Sequence, residues 1–490
     1  MKSEKLQDAI GMVGDDLIAE ARRGRIFQRK SLIAATAAVL AIVISLSIVL
    51  GALYPQPPKI PKNALTIALP SPSDLNLSNL VAAPEYPVFV QYVEKRRDNQ
   101  EQYHMWEAFQ TDWDATYSLP EGSIDDLSNF FARSTAECMS GTGNQLYSPA
   151  SMYISLAMLA ECTDGNSRQE ILNLLGASNM RKLRNQAKKI WLSSYNADGR
   201  NYCVFTNSIW LDNSLRYNAH TAKTLANFYY TSVFSGDLGT EDLNRQLHTW
   251  INAMTGNILE NQTGNIEMDP NTAFALVATM NFRADWVEGF TKSKTATGTF
   301  HSSTGDMTVE FMRHEDASKD SLFYWSDQYG AVCRSLTDGN NMWLILPDEG
   351  YTPHSILQSS EYLSMVLHPD EWHNQKEVCL DLSVPKFDIE SQSDLVDNLK
   401  KLGVNDIFDD AQSNFSHISP TASVAVQQME QSLRVFIDEV GISGAAYAYT
   451  DGYLSMPSGE IVCLKLDRPF LFVITTKDGL PLFVGIVDEP

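Results

Sequence analysis

From Ile442 to Tyr453 the side chains alternate in a way that restricts what the chain can fold into. Successive side chains of an extended segment point to opposite faces. Ile442, Gly444, Ala446, Ala448, Thr450 and Gly452 therefore share one side, and that side is small almost throughout. Ser443, Ala445, Tyr447, Tyr449, Asp451 and Tyr453 share the other, which is larger and wetter. A segment with one small, smooth face can slide between two existing strands without clashing, so the pattern asks for a sheet able to receive it. Tyr453 to Glu460 is turn-rich and of exposed character. Two strongly apolar strands then follow, Asp467–Thr475 and Leu480–Val487, joined by a Lys477-Asp478-Gly479 turn.

Other segments narrow the reading in chain order. They are Asn144-Gln145-Leu146-Tyr147-Ser148-Pro149-Ala150-Ser151, the apolar helix Met152–Ala160, and Thr163-Asp164-Gly165-Asn166-Ser167 leading into Ile171-Leu172. Further on come Trp250-Ile251-Asn252 with Thr255 and Ile258, Asn281-Phe282-Arg283-Ala284-Asp285-Trp286 with Phe290, Val384-Pro385-Lys386-Phe387, and Leu402-Gly403 with Phe408, Phe415 and Ile418. The final run is Phe483-Val484-Gly485-Ile486-Val487-Asp488-Glu489-Pro490. Singly, each is weak, since a Trp or an Asn-Phe pair is more often plain core. Taken together over roughly 125–490, they resemble the serpins, the serine protease inhibitor family. One departure is Ser167, where the family's Gly-x-Thr turn has threonine.

The resemblance implies a suicide trap. A protease cleaves an exposed loop, and the loop enters the main sheet as a new strand, driven by strain stored in the native fold. Val435–Gly441 resembles the strand leading into the hinge, and the hinge residues are then Glu439, Gly441, Ile442, Ser443, Gly444, Ala445 and Ala446. The sheet-opening region would hold Ser148, Pro149, Ser151 and Asn281. In the family the scissile bond lies roughly fourteen residues past the hinge glycine. Counting from Gly441 gives Ser455, with Leu454 and Met456 as neighbours. Pro457 removes an N–H that strand-like binding uses, which favours Leu454–Ser455 or Ser455–Met456. No lysine or arginine occurs between Ile442 and Leu464. A trypsin-type pocket would keep its buried carboxylate unpaired, so the expected partners are chymotrypsin-like, elastase-like or subtilisin-like serine proteases. Ile442 and Gly444 depart from the family's hinge pattern. Because some family members do not inhibit, the alternative is a non-inhibitory binding protein of the same fold at the cell surface. No cofactor or metal is implied.

Composition bounds the other classes. The 490 residues are 44% hydrophobic and 20% charged, which suffices for a sizeable core. The formal net charge of −23 repels nucleic acid and anionic surfaces. The six cysteines, Cys138, Cys162, Cys203, Cys333, Cys379 and Cys463, form no Cys-x-x-Cys pair and suit no zinc site. They read as buried thiols. His314-Glu315 lacks a second histidine for a zinc-protease motif and reads as surface loop. Gly441-Ile442-Ser443-Gly444-Ala445 nearly spells a nucleophile elbow, but that needs a final glycine, a following helix and a downstream histidine. None lies beyond His417, so an enzyme is not expected.

Before the domain stands a membrane segment. Leu32 to Leu53 carries no charge over more than twenty residues, enough to span the ~30 Å hydrocarbon core of a bilayer. Arg22, Arg23, Arg25, Arg29 and Lys30 precede it, which keeps the N-terminus cytoplasmic and the domain extracellular. The leader and the apolar run are both longer than a cleaved signal peptide has, and anchor and leader resemble those of Gram-positive bacterial proteins. The expected order is a cytoplasmic segment (1–30) with an amphipathic helical pattern, one transmembrane helix (31–53), a Pro-rich linker and juxtadomain segment (54–122), and a serpin domain (123–490). Within 84–92, alternation suggests an added strand or strap.

Helical period and Ser or Asp caps place helices at Ser123–Ser140, Ser151–Leu159, Ser167–Leu175, Met180–Ser193 and Leu395–Leu402. Strands are expected at Cys203–Leu211, within Leu322–Leu346, and from Val424 onward. Strands mixed with separate helix clusters give an α+β fold with large mixed sheets, a helical cluster and an exposed reactive loop.

Overall fold

The computed structural model describes residues 58–490 except 120–123, 258–263, 265, 271–272, 317–320, 421–423, 427–428 and 443–459. The expected cytoplasmic segment and transmembrane helix lie outside the described residues. Among the described residues no helix is long and apolar enough to cross a membrane. Lys59–Pro490 form one compact unit, so the stretch read as linker and juxtadomain segment is packed from Lys59 onward.

That packed stretch holds β1 (Thr66–Ile67), β2 (Leu80–Ala82), β3 (Phe89–Val90) and the helix α1 (Gln100–Tyr117). Next come α2 (Asp125–Cys138), β4 (Gln145–Tyr147), α3 (Pro149–Cys162), α4 (Gly165–Leu174) and α5 (Met180–Ser194). All of α3 is buried, as a helix apolar on every side must be. It starts earlier than the pattern suggested because Pro149 suits a first helical position, where no N–H is needed. Ser148 caps it, its side chain accepting from Ser151 N.

The central strands follow: β5 (Asn196–Ala197), β6 (Tyr202–Asp212), α6 (Ala219–Tyr229), β7 (Thr231–Gly236), α7 (Glu241–Thr255) and β8 (Phe274–Asp285). Then come β9 (Ala296–Ser302), β10 (Gly305–Glu315), β11 (Ser321–Trp325), β12 (Tyr329–Ser335) and β13 (Asn341–Pro347). After α8 (Pro353–Ser359) and α9 (Glu361–Leu367) run β14 (Gln375–Pro385), β15 (Phe387–Asp394) and α10 (Val396–Lys401). The chain closes with β16 (Glu430–Ile437), β17 (Gly441–Ile442), β18 (Ile461–Lys465), β19 (Phe470–Thr475) and β20 (Pro481–Val487).

Among the described residues two large sheets form. One has ten strands, ordered β4-β20-β19-β13-β12-β11-β14-β10-β9 with β18 beside β14. The other has eight, ordered β15-β16-β17-β8-β6-β7-β2 with β5 beside β6. The α+β expectation holds, with both sheets and the helices around them. β19 and β20 are buried along their whole length, which explains their unbroken apolar runs. The inner face of the eight-stranded sheet meets the ten-stranded one, as where Phe282 meets Phe483 at 5.7 Å between ring centroids. Its outer face is covered by α7, where Trp250, Ile251 and Leu247 pack on Trp210 and Phe234. Those last two rings stack at 3.9 Å.

Two readings need correction. His314 and Glu315 are not loop; they end β10, paired with Leu382 and Asp381 of β14. The ladder to β14 outweighs a locally polar sequence. All six thiols are free, but only Cys162, Cys203 and Cys379 are buried. Cys463 is exposed, because β18 pairs with β14 alone.

In the β19–β20 ladder Phe472 stands opposite Gly485. A Cβ on Gly485 would overlap that ring. Gly485→Ala should therefore lower stability by about 1–3 kcal/mol, read as a lower denaturant midpoint, and adding Phe472→Leu should restore part of it.

Candidate functional site

The line between β16 and β8 divides the eight-stranded sheet. These strands run parallel and share one registered position, Gln431 opposite Ala278. By contrast, β8 follows β6 from Tyr202↔Arg283 to Leu211↔Phe274 without a break. Towards its other end the line is occupied by β17. Ile442 stands opposite Ala284 on one side and Ile437 on the other, and Gly441 stands opposite Asp285. Two residues thus sit where a further strand would lie.

The hinge is held in that position from several directions. Asp438 Oδ1 accepts from Val440 N at 2.8 Å and Gly441 N at 3.2 Å, which tightens the reversal after β16. Trp286 Nε1 donates to Asp438 O at 3.0 Å, Trp286 N to Val440 O at 2.8 Å, and Phe290 N to Glu439 O at 2.8 Å. Gly441 is required by space. A Cβ there would collide with the Ala284 carbonyl oxygen and lie 2.6 Å from Asp285 Cα. Ile442 is buried among the core side chains.

Glu439 is 7% exposed, and such a carboxylate needs partners. Its Oε1 lies 2.8 Å from Lys386 Nζ and accepts from Thr295 Oγ1 at 2.8 Å. Burial alone would raise its pKa, but the donors from Lys386 and Thr295 outweigh it and hold the group below its ordinary range. Lys386 is moved the opposite way. Burial lowers its pKa, and the hydrogen bonds to Glu439 and Glu310 more than offset that.

At the other end of the seam Ser148 is fully buried. The Gln431 side-chain amide grips its backbone twice, accepting from Ser148 N at 2.9 Å and donating to Ser148 O at 3.1 Å. Ser148 Oγ lies 3.9 Å from Met280 Sδ on β8. One cap residue thus touches both strands of the seam. Pro149 and Ser151 continue from it into α3. Asn281 is one residue along from Met280 and so faces the opposite side of the sheet, near Gly256 at the end of α7. The expected sheet-opening residues therefore gather beside one seam but on both of its faces.

Ser443, Gly444, Ala445 and Ala446 of the hinge, and Leu454, Ser455 and Met456 of the reactive bond, lie outside the described residues. Sequence reasoning missed Gln431 and Asp438. Nothing in the sequence sets Gln431 apart, since it stands among Glu430, Ser432 and Arg434 in the same strand.

Among the described residues Glu288, His314 and Asp316 bring possible metal ligands together. His314 Nε2 lies 2.7 Å from Asp316 Oδ1. The Arg334 guanidinium reaches Glu288, with Nη2 donating to its carbonyl at 2.7 Å, so a cation already stands there.

The sequence pattern of the family described as Serpin (serine protease inhibitor) matches residues 126–490. An uncharacterized serpin-like protein of Methanosarcina acetivorans is 25% identical over 363 residues, covering 71% of this chain and 81% of the relative. Plasminogen activator inhibitor 1 of Sus scrofa is 26% identical over 358 residues, covering 71% and 87%. The native-state structure of Tengpin, a thermophilic serpin, superposes with a TM-score of 0.69 at 20% identity, over 76% of this chain and 95% of that one.

The Glu439 site makes a pH prediction. A carboxyl whose folded pKa is depressed stabilises the fold above its ordinary pKa, and that stability is lost as pH falls. The melting temperature should drop on acidification from about pH 4.5, the ordinary value, downward. Glu439→Gln should melt lower at neutral pH and lose less on acidification; parallel pH profiles would contradict this.

Proposed function

We propose, from the premise that the chain belongs to the serpin family, that it inhibits serine proteases as a suicide substrate. The observation that carries this reading is β17, already in register between β16 and β8. Continuing that register two residues at a time brings Gly444 opposite Phe282 and Val435. Ala446 comes opposite Met280 and Leu433, and Ala448 opposite Ala278 and Gln431. These partners face the core, where small side chains fit without displacing anything. The intervening Ser443, Ala445, Tyr447 and Tyr449 turn to the other face.

The sequence of events follows. A protease serine attacks the scissile carbonyl, and the new amino terminus leaves with the C-terminal part of the loop. The acyl-enzyme stays joined to the loop's N-terminal side. That side enters the seam, drags the protease along, and distorts its active site before water can deacylate it. Successive inserted residues add ladder hydrogen bonds to β8 and β16 in alternation, a gain the tethered, uncut loop reaches only slowly. Leu454–Ser455 or Ser455–Met456 is the bond cut, by a chymotrypsin-like, elastase-like or subtilisin-like enzyme. The apolar run Leu32–Leu53 anchors the chain in a bacterial cell membrane, with the inhibitory domain outside.

Mixing the protein with proteases of those three classes should give a boiling-resistant adduct, and a trypsin-like enzyme should give little. The released C-terminal fragment should start at Ser455 or Met456, and a cut outside Tyr453–Met456 would contradict this placement. Loop cleavage alone should raise the melting temperature markedly. A loop that is cut, with no adduct and no gain in melting temperature, would favour the non-inhibitory binding protein.

Gly444→Glu tests the register directly. Its carboxylate would have to enter opposite Phe282 and Val435, and burying an unpaired charge costs several kcal/mol. The variant should be cut as a substrate, with adduct yield falling sharply; an unchanged yield would sink the insertion step.

A further inference from the structure

Residues 59–119 lie outside the part of the chain that matches the family, yet they are closely bound to the domain. Phe89, Phe109 and Trp113 are buried in the main core. Phe89 and Trp113 meet at 4.6 Å and Phe89 and Tyr195 at 5.4 Å between ring centroids. Two groups of this strap's attachments bear on the seam.

The first group is on the β8 side of the seam. β2 extends the sheet by pairing with its edge strand β7. Asn79, just before β2, donates from Nδ2 to Ser235 O at 2.6 Å and accepts from Gln246 Nε2 of α7 at 2.9 Å. Tyr92 accepts from Arg200 Nη1 at 3.0 Å, and Arg200 Nε donates to Asp285 Oδ2 at 2.8 Å. Asp285 is the residue that stands opposite Gly441 at the mouth of the seam.

The second group is on the β19–β20 hairpin of the other sheet. Asp114 of α1 pairs with Lys477 Nζ at 2.6 Å, and Leu119 N donates to Asp478 Oδ2 at 2.9 Å. β19 is in turn packed on the far side of the seam, since Phe472 and Phe387 of β15 meet at 5.3 Å.

A new strand needs about 4.8 Å of width. To admit one, β8, β6 and β7 with α7 must slide away from β16 and across the second sheet. The strap ties the strands that slide to a hairpin that does not move with them. We infer that residues 59–119 are a brace that holds the seam shut in the uncut protein; this rests on the insertion reading proposed above. Opening the seam must break or stretch the Tyr92–Arg200–Asp285 chain or the ties to Lys477 and Asp478. Loop cleavage frees the loop to supply the driving force for that at once, whereas in the uncut protein the tethered loop enters only slowly.

The test uses the full chain carrying Tyr92→Phe together with Asp478→Asn. The asparagine keeps an Asn-Gly turn at the hairpin tip, and the phenylalanine keeps the ring under Arg200. Lys401→Gln, which breaks a surface pair with Glu137 remote from the strap, is the control. The first readout is the half-time for uncut protein to become resistant to loop cleavage. It should shorten by about tenfold in the double variant, the scale of one charge-assisted hydrogen bond lost from the closed form alone. It should not change in the control. The second readout is the melting temperature of uncut and loop-cut forms. The double variant should lower the first and leave the second unchanged. An unchanged half-time, or an equal fall in both melting temperatures, would overturn the brace alone and leave the strap as ordinary packing. A loop-cut wild type that melts where the uncut protein does would remove the insertion reading, and the brace with it.

Discussion

The rest of the structure depends on a parallel strand pair that meets at one registered position, Gln431 opposite Ala278. Parallel pairing is slightly weaker per residue than antiparallel pairing, and here it is also nearly absent. The fold tolerates this because neither half of the eight-stranded sheet needs the other to bury its inner face. β8 rests on β20 through Phe282 and Phe483. β15 rests on β19 through Phe387 and Phe472. The second sheet is a common floor, so a weak seam above it costs little cohesion. Gln431 turns its amide down to Ser148 and so spends its side chain on that floor.

The turn after β16 sets where β17 lies. Asp438 closes a reversal tight enough to send the chain back beside its own strand. Trp286 and Phe290 bind three successive carbonyls or their neighbours from the β8 side. The absence of a side chain at Gly441 lets the backbone approach Asp285 closely. The burial of Glu439 is the cost of this arrangement, offset by Lys386 and Thr295. Geometry over Asp438–Gly441 therefore places Ile442 in the gap between β16 and β8.

Much of this was legible in the residues. The even-numbered small face from Ile442 reads as suited to insertion; of that face Ile442 lies core-facing in the seam, and the rest falls outside the described residues. Runs such as Phe470–Thr475 and Pro481–Val487 could only be strands buried on both faces. The helix read from Ser151 is there, but it begins two residues earlier, at Pro149. What could not be read was determined by distant partners. Gln431 acquires meaning only beside Ser148, far away in sequence. His314 looks like loop until β14 arrives to pair with it. The strap was legible only in part: 84–92 reads as a strand or strap, and β3 lies there, but the burial of Phe89 and Trp113 depends on Tyr195 and its neighbours.

β20 holds the last strand of the chain, yet it lies inside its sheet, between β4 and β19. β4 is formed from residues made more than three hundred positions earlier, so its edge must wait until β20 has been synthesised. The core shared by the two sheets cannot close until Phe483 and Val484 have followed every other described strand out. Ordering of the interior thus waits for β20. Until then the nascent protein carries two open strand edges, the kind of surface that pairs with other chains. A truncation that reaches Pro481–Val487 removes an interior strand rather than a tail.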